Sequence, residues 1–197
     1  MTTPTSAPGT GSGTVRLALI APAMNRGLRE ARFDDAGPLE PPRDGSVAPL
    51  CPGPRVRLLR SPSPRCAHTA ALLGHADVAA EPALAGCAMG RWRGRSLDEL
   101  SAGEPESVAA WLSDPAAAPH GGESLRELRA RVADWMDALE PGTVIAFAEA
   151  DVIRAGVAHA LGAPEAVFWR LDVRPLERVE LSGRSGRWNV RLGAPAG

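Results

Sequence analysis

The chain has 197 residues, 44% of them hydrophobic, and a formal charge of −1, enough for one domain with its own core and without the basic footprint of a nucleic-acid or polybasic membrane-binding protein. All 22 of its cationic residues are arginine, and Lys, Tyr and Gln are absent, which excludes Schiff-base chemistry, a P-loop lysine and tyrosine acids or nucleophiles. Only four histidines occur, His68, His75, His120 and His159, so their placement decides any acid–base or phosphoryl-transfer mechanism.

Residues 1–13 are mostly Thr, Ser, Pro and Gly, with little to bury, and are expected to form a flexible tail ahead of a single domain over 14–193. The N-terminal stretch has neither a basic n-region nor an apolar h-region, and no apolar run approaches a membrane span, so a cytoplasmic location is expected. Val15–Ile20 (VRLALI) has the length and branched side chains of a buried strand. The prolines crowded between Gly37 and Pro54 deny that stretch helical hydrogen bonds and angles, so it is expected to be irregular or extended. A second strand, Arg55–Leu59, leads through Ser61-Pro62 into a helix ending at Leu73, with Gly74 as its stop.

Ser124-x-x-Glu127 is a capping box, and Leu125, Leu128, Val132, Met136 and Leu139 follow at helical spacing until Pro141-Gly142. Val144–Ala148 reads as another buried strand and Val152–Leu161 as its following helix. Glu177–Leu181 and Arg187–Leu192, around a Ser-Gly-Arg-Ser-Gly turn, read as a hairpin. Strands interleaved with helices predict an α/β three-layer sandwich with a largely parallel central sheet, whose ligands bind beyond the C-terminal strand ends. The residues to inspect therefore follow Ile20, Leu59 and Ala148.

Four blocks resemble the histidine phosphatase superfamily, the phosphoglycerate-mutase-like fold, over Val15 to Leu192. They are Arg60-Ser61-Pro62 through Arg65 to Thr69-Ala70; Met89-Gly90-Arg91-Trp92-Arg93-Gly94 with Leu97-Asp98-Glu99-Leu100; Gly121-Gly122-Glu123-Ser124; and Val152-Ile153-Arg154 after a buried strand. The resemblance implies a nucleophilic histidine in an Arg-His-Gly motif after the first strand. It also implies an arginine on the next helix, a second histidine after a later strand, and a glutamate that protonates the leaving group. Several cationic donors around one phosphoryl group are what such a transition state demands.

This chain departs from that pattern. Ala21 and Pro22 stand at the arginine and nucleophile positions, and no histidine precedes His68. Glu149, in Ala148-Glu149-Ala150, replaces the second histidine, where a carboxylate would repel a phosphate dianion by several kcal/mol, to order of magnitude. The acid position falls on Gly86, with no carboxylate in that segment after Glu81. Arg65 persists in the first turn of a helix, with Arg60 and Ser61 beside it as further anion-binding candidates. Ala21, Pro22, Gly86, Glu123, Glu149 and His68 are the remaining pocket candidates, and an Arg65–Glu149 ion pair closing the phosphate site is expected.

Cys51, Cys66 and Cys87 match neither a disulfide framework nor a CxxC motif, so reduced, structural thiols and no metal or other cofactor are expected. Trp111, Trp135 and Trp169 fall in apolar patterns and are expected to pack rather than to stack a ligand. The functional expectation is a catalytically inactive member acting as a binding or regulatory module for a phosphorylated or anionic small molecule near Arg65, with neither nucleic acid nor membrane as partner. The alternatives are an enzyme of altered chemistry with Glu149 as base and Arg65 as anion binder, and a residual phosphomonoesterase drawing on His68 or His120.

Overall fold

The computed structural model describes residues 13–33, 37–41, 47–184 and 186–192. Among these, six strands, β1 (Val15–Ile20), β2 (Val56–Arg60), β3 (Ala79–Ala80), β4 (Gly142–Phe147), β5 (Arg178–Arg184) and β6 (Arg187–Arg191), form one sheet in the order β3-β2-β4-β1-β5-β6. The pairings β1–β4, β2–β4 and β2–β3 are parallel, while β5 runs antiparallel to β1 and β6 antiparallel to β5. Six helices accompany them: α1 (Arg26–Arg29), α2 (Pro64–Leu72), α3 (Leu97–Gly103), α4 (Pro105–Ser113), α5 (Leu125–Asp137) and α6 (Ala150–Ala160).

Period-two alternation along the central strands builds the layers. Leu17, Leu19, Val144 and Ala146 join one core with Leu128, Val132 and Met136 of α5 and Val152 and Ile153 of α6. The intervening residues Ala18, Ile20, Ile145 and Phe147 join a second core with Cys66 and Ala70 of α2 and with Leu73. The result is the mixed α/β sandwich with a mostly parallel sheet that the sequence predicts. The α5 helix starts where its capping box dictates: Glu127 N–H donates to Ser124 Oγ at 3.2 Å and Ser124 N–H donates to Glu127 Oε2 at 2.8 Å.

A third cluster, Met89, Trp92, Leu100 and Val108 with Phe33 and Trp111, is built on the crossing segment before α3 and on α3 and α4. Trp92 is fully buried there, its ring 5.8 Å from that of Trp111. Trp111, Trp135 and Trp169 are half-buried packing residues.

The boundaries differ in places from expectation. The β2 strand is Val56–Arg60 rather than Arg55–Leu59, β4 begins at Gly142 because Gly142 pairs with Val15, and α6 begins at Ala150 rather than Val152. The two-residue β3 has no apolar alternation of its own and exists through its pairing with β2. Residues 47–54 of the proline-rich stretch form neither helix nor strand, and His75 Nε2 bonds Leu50 O at 2.7 Å to tie it down. The tail expected at 1–13 and the domain end at 193 lie, except for Gly13, outside the described residues. No helix among the described residues is long and apolar enough to cross a membrane.

Candidate functional site

Two strand ends and one crossing segment meet to make the site. Residues 61–65 lead from β2 into α2, residues 148–151 lead from β4 into α6, and residues 85–89 pass over both. They enclose a cavity of about 480 Å³. Ser63 is the N-cap of α2: its Oγ accepts Cys66 N–H at 3.1 Å and donates to Glu149 Oε1 at 2.7 Å. Arg65, one residue past Pro64 in the first turn, pairs its Nη2 with Glu149 Oε2, and its Nε reaches Oε1 at 3.5 Å. The two side chains are only 12% and 15% exposed, so loss of either partner would strand a charge with little water to solvate it.

Glu149 stands at the N-cap of α6 but does not cap it. Its carboxylate is turned instead onto Ser63 and Arg65. Asp151, in the first turn of α6, accepts Cys87 N–H at 2.6 Å and Val152 N–H at 2.8 Å. Burial, aided by the neighbouring Glu149 charge, pushes its carboxyl above the ordinary carboxylate range against the pull of those two amides. A Cβ on Gly86 would lie in ordinary contact with Asp151 Oδ2, at 3.5 Å, and tighter, at 3.3 Å, against Cγ of Glu149.

The rim explains two of the motif blocks. A Cβ on Gly122 would fall 1.7 Å from Ala88 O, and one on Gly90, at φ +47, would fall 2.2 Å from His120 O. The two segments are laced by Glu123 N–H to Ala88 O at 2.8 Å and Arg91 N–H to His120 O at 3.0 Å. A second, more open hollow lies across residues 85–88, walled by Glu123, Glu127 and Arg131, and shares Ala85, Gly86 and Ala88 with the first. Arg131 donates to Ala83 O at 2.7 Å, to Ala85 O at 3.0 Å and to Glu123 Oε2 at 2.7 Å.

Of the residues singled out by sequence, Ser61, Arg65, Gly86 and Glu149 line the cavity. Ala21 and Pro22 do not: they are buried, and Ala21 extends the sheet by donating its N–H to Glu177 O at 2.9 Å. Arg60 is also off the wall, because its guanidinium is drawn to Val78 O at 3.1 Å and Ser61 O at 3.0 Å. Glu123 lines the second hollow, bound to Arg131, and His68 is exposed on α2 away from both. His120 is 1% exposed and packs 5.1 Å from the Trp92 ring, off the cavity wall.

Several wall residues were not among the site candidates read from the sequence, Ser63, Asn25, Asp151 and Arg154 among them. Asn25 caps α1 by accepting Leu28 N–H at 2.9 Å and meets Arg65 Nη1 at 3.4 Å; an Asn ahead of Arg-Gly-Leu-Arg was its signal. Asp151 and Arg154 are one helical turn apart, a spacing visible only once α6 is known to start at Ala150. Among the described residues no group of three or more His, Cys, Asp or Glu could hold a metal ion. The Cys87 thiol is pushed up to about 12 by burial and by Asp151 and Glu123, and burial raises Cys66 too, so neither is a thiolate at neutral pH.

Comparison with known proteins gives this geometry a lineage. The chain is 29% identical over 176 residues to the bifunctional protein Rv2228c of Mycobacterium tuberculosis (strain ATCC 25618 / H37Rv), a match that takes in 85% of this chain and 47% of that protein, about half its length. Among solved structures it resembles mycobacterial glucosyl-3-phosphoglycerate phosphatase Rv2419c in complex with VO3, with a TM-score of 0.70 at 24% identity, over 90% of this chain and 97% of that one. It also resembles the alpha-ribazole phosphatase of Shigella flexneri, with a TM-score of 0.71 at 20% identity, over 90% of this chain and 95% of that one. At these identities the likeness establishes the fold. The sequence profile of the histidine phosphatase superfamily (branch 1) matches residues 52–194, beginning beyond β1 and the segment that follows it. The chain belongs to the histidine phosphatase superfamily.

Proposed function

We propose that this member has given up phosphohistidine chemistry and acts as a binding or regulatory module for a phosphorylated or otherwise anionic small molecule in the cytoplasm. One observation carries the reading: a carboxylate, Glu149, engages Ser63 and Arg65 at the strand end where the family resemblance implies a histidine, and none of the cavity-lining residues is a histidine. A carboxylate there opposes the charge build-up of phosphoryl transfer, and among the described residues no histidine lines the cavity to serve as nucleophile. The ligand class is supported by the open volume, by four arginines on its wall, and by structural neighbours named as phosphatases of phosphorylated small molecules. The test is incubation with a panel of phosphomonoesters and a search for an acid-labile phosphoenzyme. The expected result is neither turnover nor phosphoenzyme, and robust turnover abolished by Arg65→Ala would overturn the proposal.

A second reading, an enzyme of altered chemistry, is favoured by two neighbouring carboxylates in unlike surroundings: Glu149 is paired with Arg65, while burial raises the carboxyl of Asp151. Against it, both oxygens of Glu149 are already engaged by Ser63 and Arg65. Loss of a hydrolytic activity in Glu149→Gln would establish it over the first reading. A residual phosphomonoesterase built on His68 or His120 has no support in the geometry, since both lie off the cavity wall.

A further inference from the structure

The cavity wall carries Arg32, Arg65, Arg93 and Arg154, and their surroundings differ. Arg65 is engaged by Glu149. Arg32 bonds Glu30 Oε2 at 2.8 Å, Glu99 Oε1 at 3.1 Å and Gly94 O at 3.0 Å. Arg93 is exposed at the rim, where water and salt screen its charge. Arg154 is half-buried, and it is fixed from behind: its Nε donates to Leu171 O at 2.7 Å and its guanidinium carbon sits 5.9 Å from the centre of the Phe168 ring. No carboxylate of the described residues lies within ion-pair distance of it, although Asp151 is on the same wall one turn away.

A half-buried guanidinium with a fixed Nε and no counter-charge has paid much of its desolvation and ordering cost before any ligand arrives. Its planar fork suits two oxygens of a phosphate. We propose that Arg154 is the anion-binding subsite of this cavity, taking the phosphate of a small phosphomonoester about one and a half helical turns along α6 from Glu149, which occupies the Ser63–Arg65 position. The inference rests on the anionic-ligand reading and adds where the charge is held. It makes Glu149 compatible with ligand binding, because the carboxylate and the phosphate then use different arginines.

The test is calorimetric titration of the whole chain with glycerol 3-phosphate and, separately, with inorganic phosphate. It compares the wild type with Arg154→Gln, Arg65→Gln and Glu149→Gln, each checked by thermal melting. The wild type is expected to bind glycerol 3-phosphate, Arg154→Gln to weaken it by about tenfold or more, and Arg65→Gln to weaken it less. A larger loss in Arg65→Gln than in Arg154→Gln would overturn the subsite while leaving the anionic-ligand reading in place. Absence of binding of either probe by both the wild type and Glu149→Gln would overturn both. A readout independent of any folding defect is the arginine Nε–H resonances of the wild type: phosphate should shift that of Arg154 before that of Arg65, and the reverse order would count against the subsite.

Discussion

Gly86 and Glu149 are packed so closely that a Cβ on the glycine would stand 3.3 Å from Cγ of the glutamate. A side chain at position 86 would therefore press on Glu149 from its first carbon. Gly86→Glu alone should destabilise the fold by about 2 kcal/mol, through crowding and through a third acid beside Glu149 and Asp151. Combined with Glu149→Ala it should cost less than the sum of the single changes, with a coupling of about 1 kcal/mol or more. Urea unfolding of the four-member cycle measures this, and simple additivity would show that the two positions do not share space.

The two partners of Glu149, Arg65 and Ser63, should tolerate truncation unequally. Arg65→Ala leaves a carboxylate bound to Ser63 in a poorly hydrated wall and is expected to cost about 2–4 kcal/mol. Ser63→Ala, which removes the α2 cap and one bond to Glu149, should cost about 1–2 kcal/mol. Chemical denaturation reports both, and an Arg65→Ala cost below that of Ser63→Ala would mean that the pair is far better solvated than its 12% and 15% exposure implies.

His120 should make stability fall in acid. Its Nδ1 accepts Gly122 N–H at 3.0 Å, its Nε2 is buried with no partner among the described residues, and burial, with help from Arg91, holds its pKa below the ordinary 6.5. Because the folded pKa is depressed, the contribution is fully present above about 6.5 and is lost as pH falls through the lowered folded value. His120→Asn keeps an acceptor for Gly122 N–H and does not titrate. The difference in melting temperature between wild type and His120→Asn should therefore shift against the wild type from about pH 7 to about pH 5. A pH-independent difference would remove His120 from the acid response.

Neighbouring glycines of one motif should behave differently. Gly122→Ala drives a methyl to 1.7 Å from Ala88 O and should cost about 3 kcal/mol or more. Gly121 has φ +73 but open space around its missing Cβ, so Gly121→Ala should cost only about 1 kcal/mol of backbone strain. Unfolding midpoints of the two variants test the contrast, and equal losses would mean that backbone strain, not the close approach to Ala88, is what these glycines relieve.

The central strands and α5 were readable because each signal is local: branched apolar runs for β1 and β4, and a capping box followed by Leu128, Val132 and Met136 for α5. Glu149 and Arg65 were also readable, since each follows directly from a strand end or helix start. Ala21 and Pro22 were misplaced because position after a strand does not say whether the chain turns toward the cavity or continues the sheet, as Ala21 does through Glu177. Asp151 acquires its environment from Cys87, 64 residues away, and Arg154 acquires its anchor from Leu171 in a different loop. Neither partner could be assigned from spacing, and β3 is a strand only because β2 lies beside it.

The chain between Ala83 and Ala88 is a thin septum, with nothing bulkier than a methyl at the three positions that face both hollows. Arg131 moors it through two carbonyls from the side of the second hollow, and Asp151 moors it through the Cys87 amide from the side of the first. A partition this thin gives the two hollows a common wall, so volume gained by one is taken from the other. Occupancy of either compartment should therefore be felt in its neighbour, and the exchange rate of the Cys87 amide, which sits in the partition itself, is where that exchange of volume would first be seen.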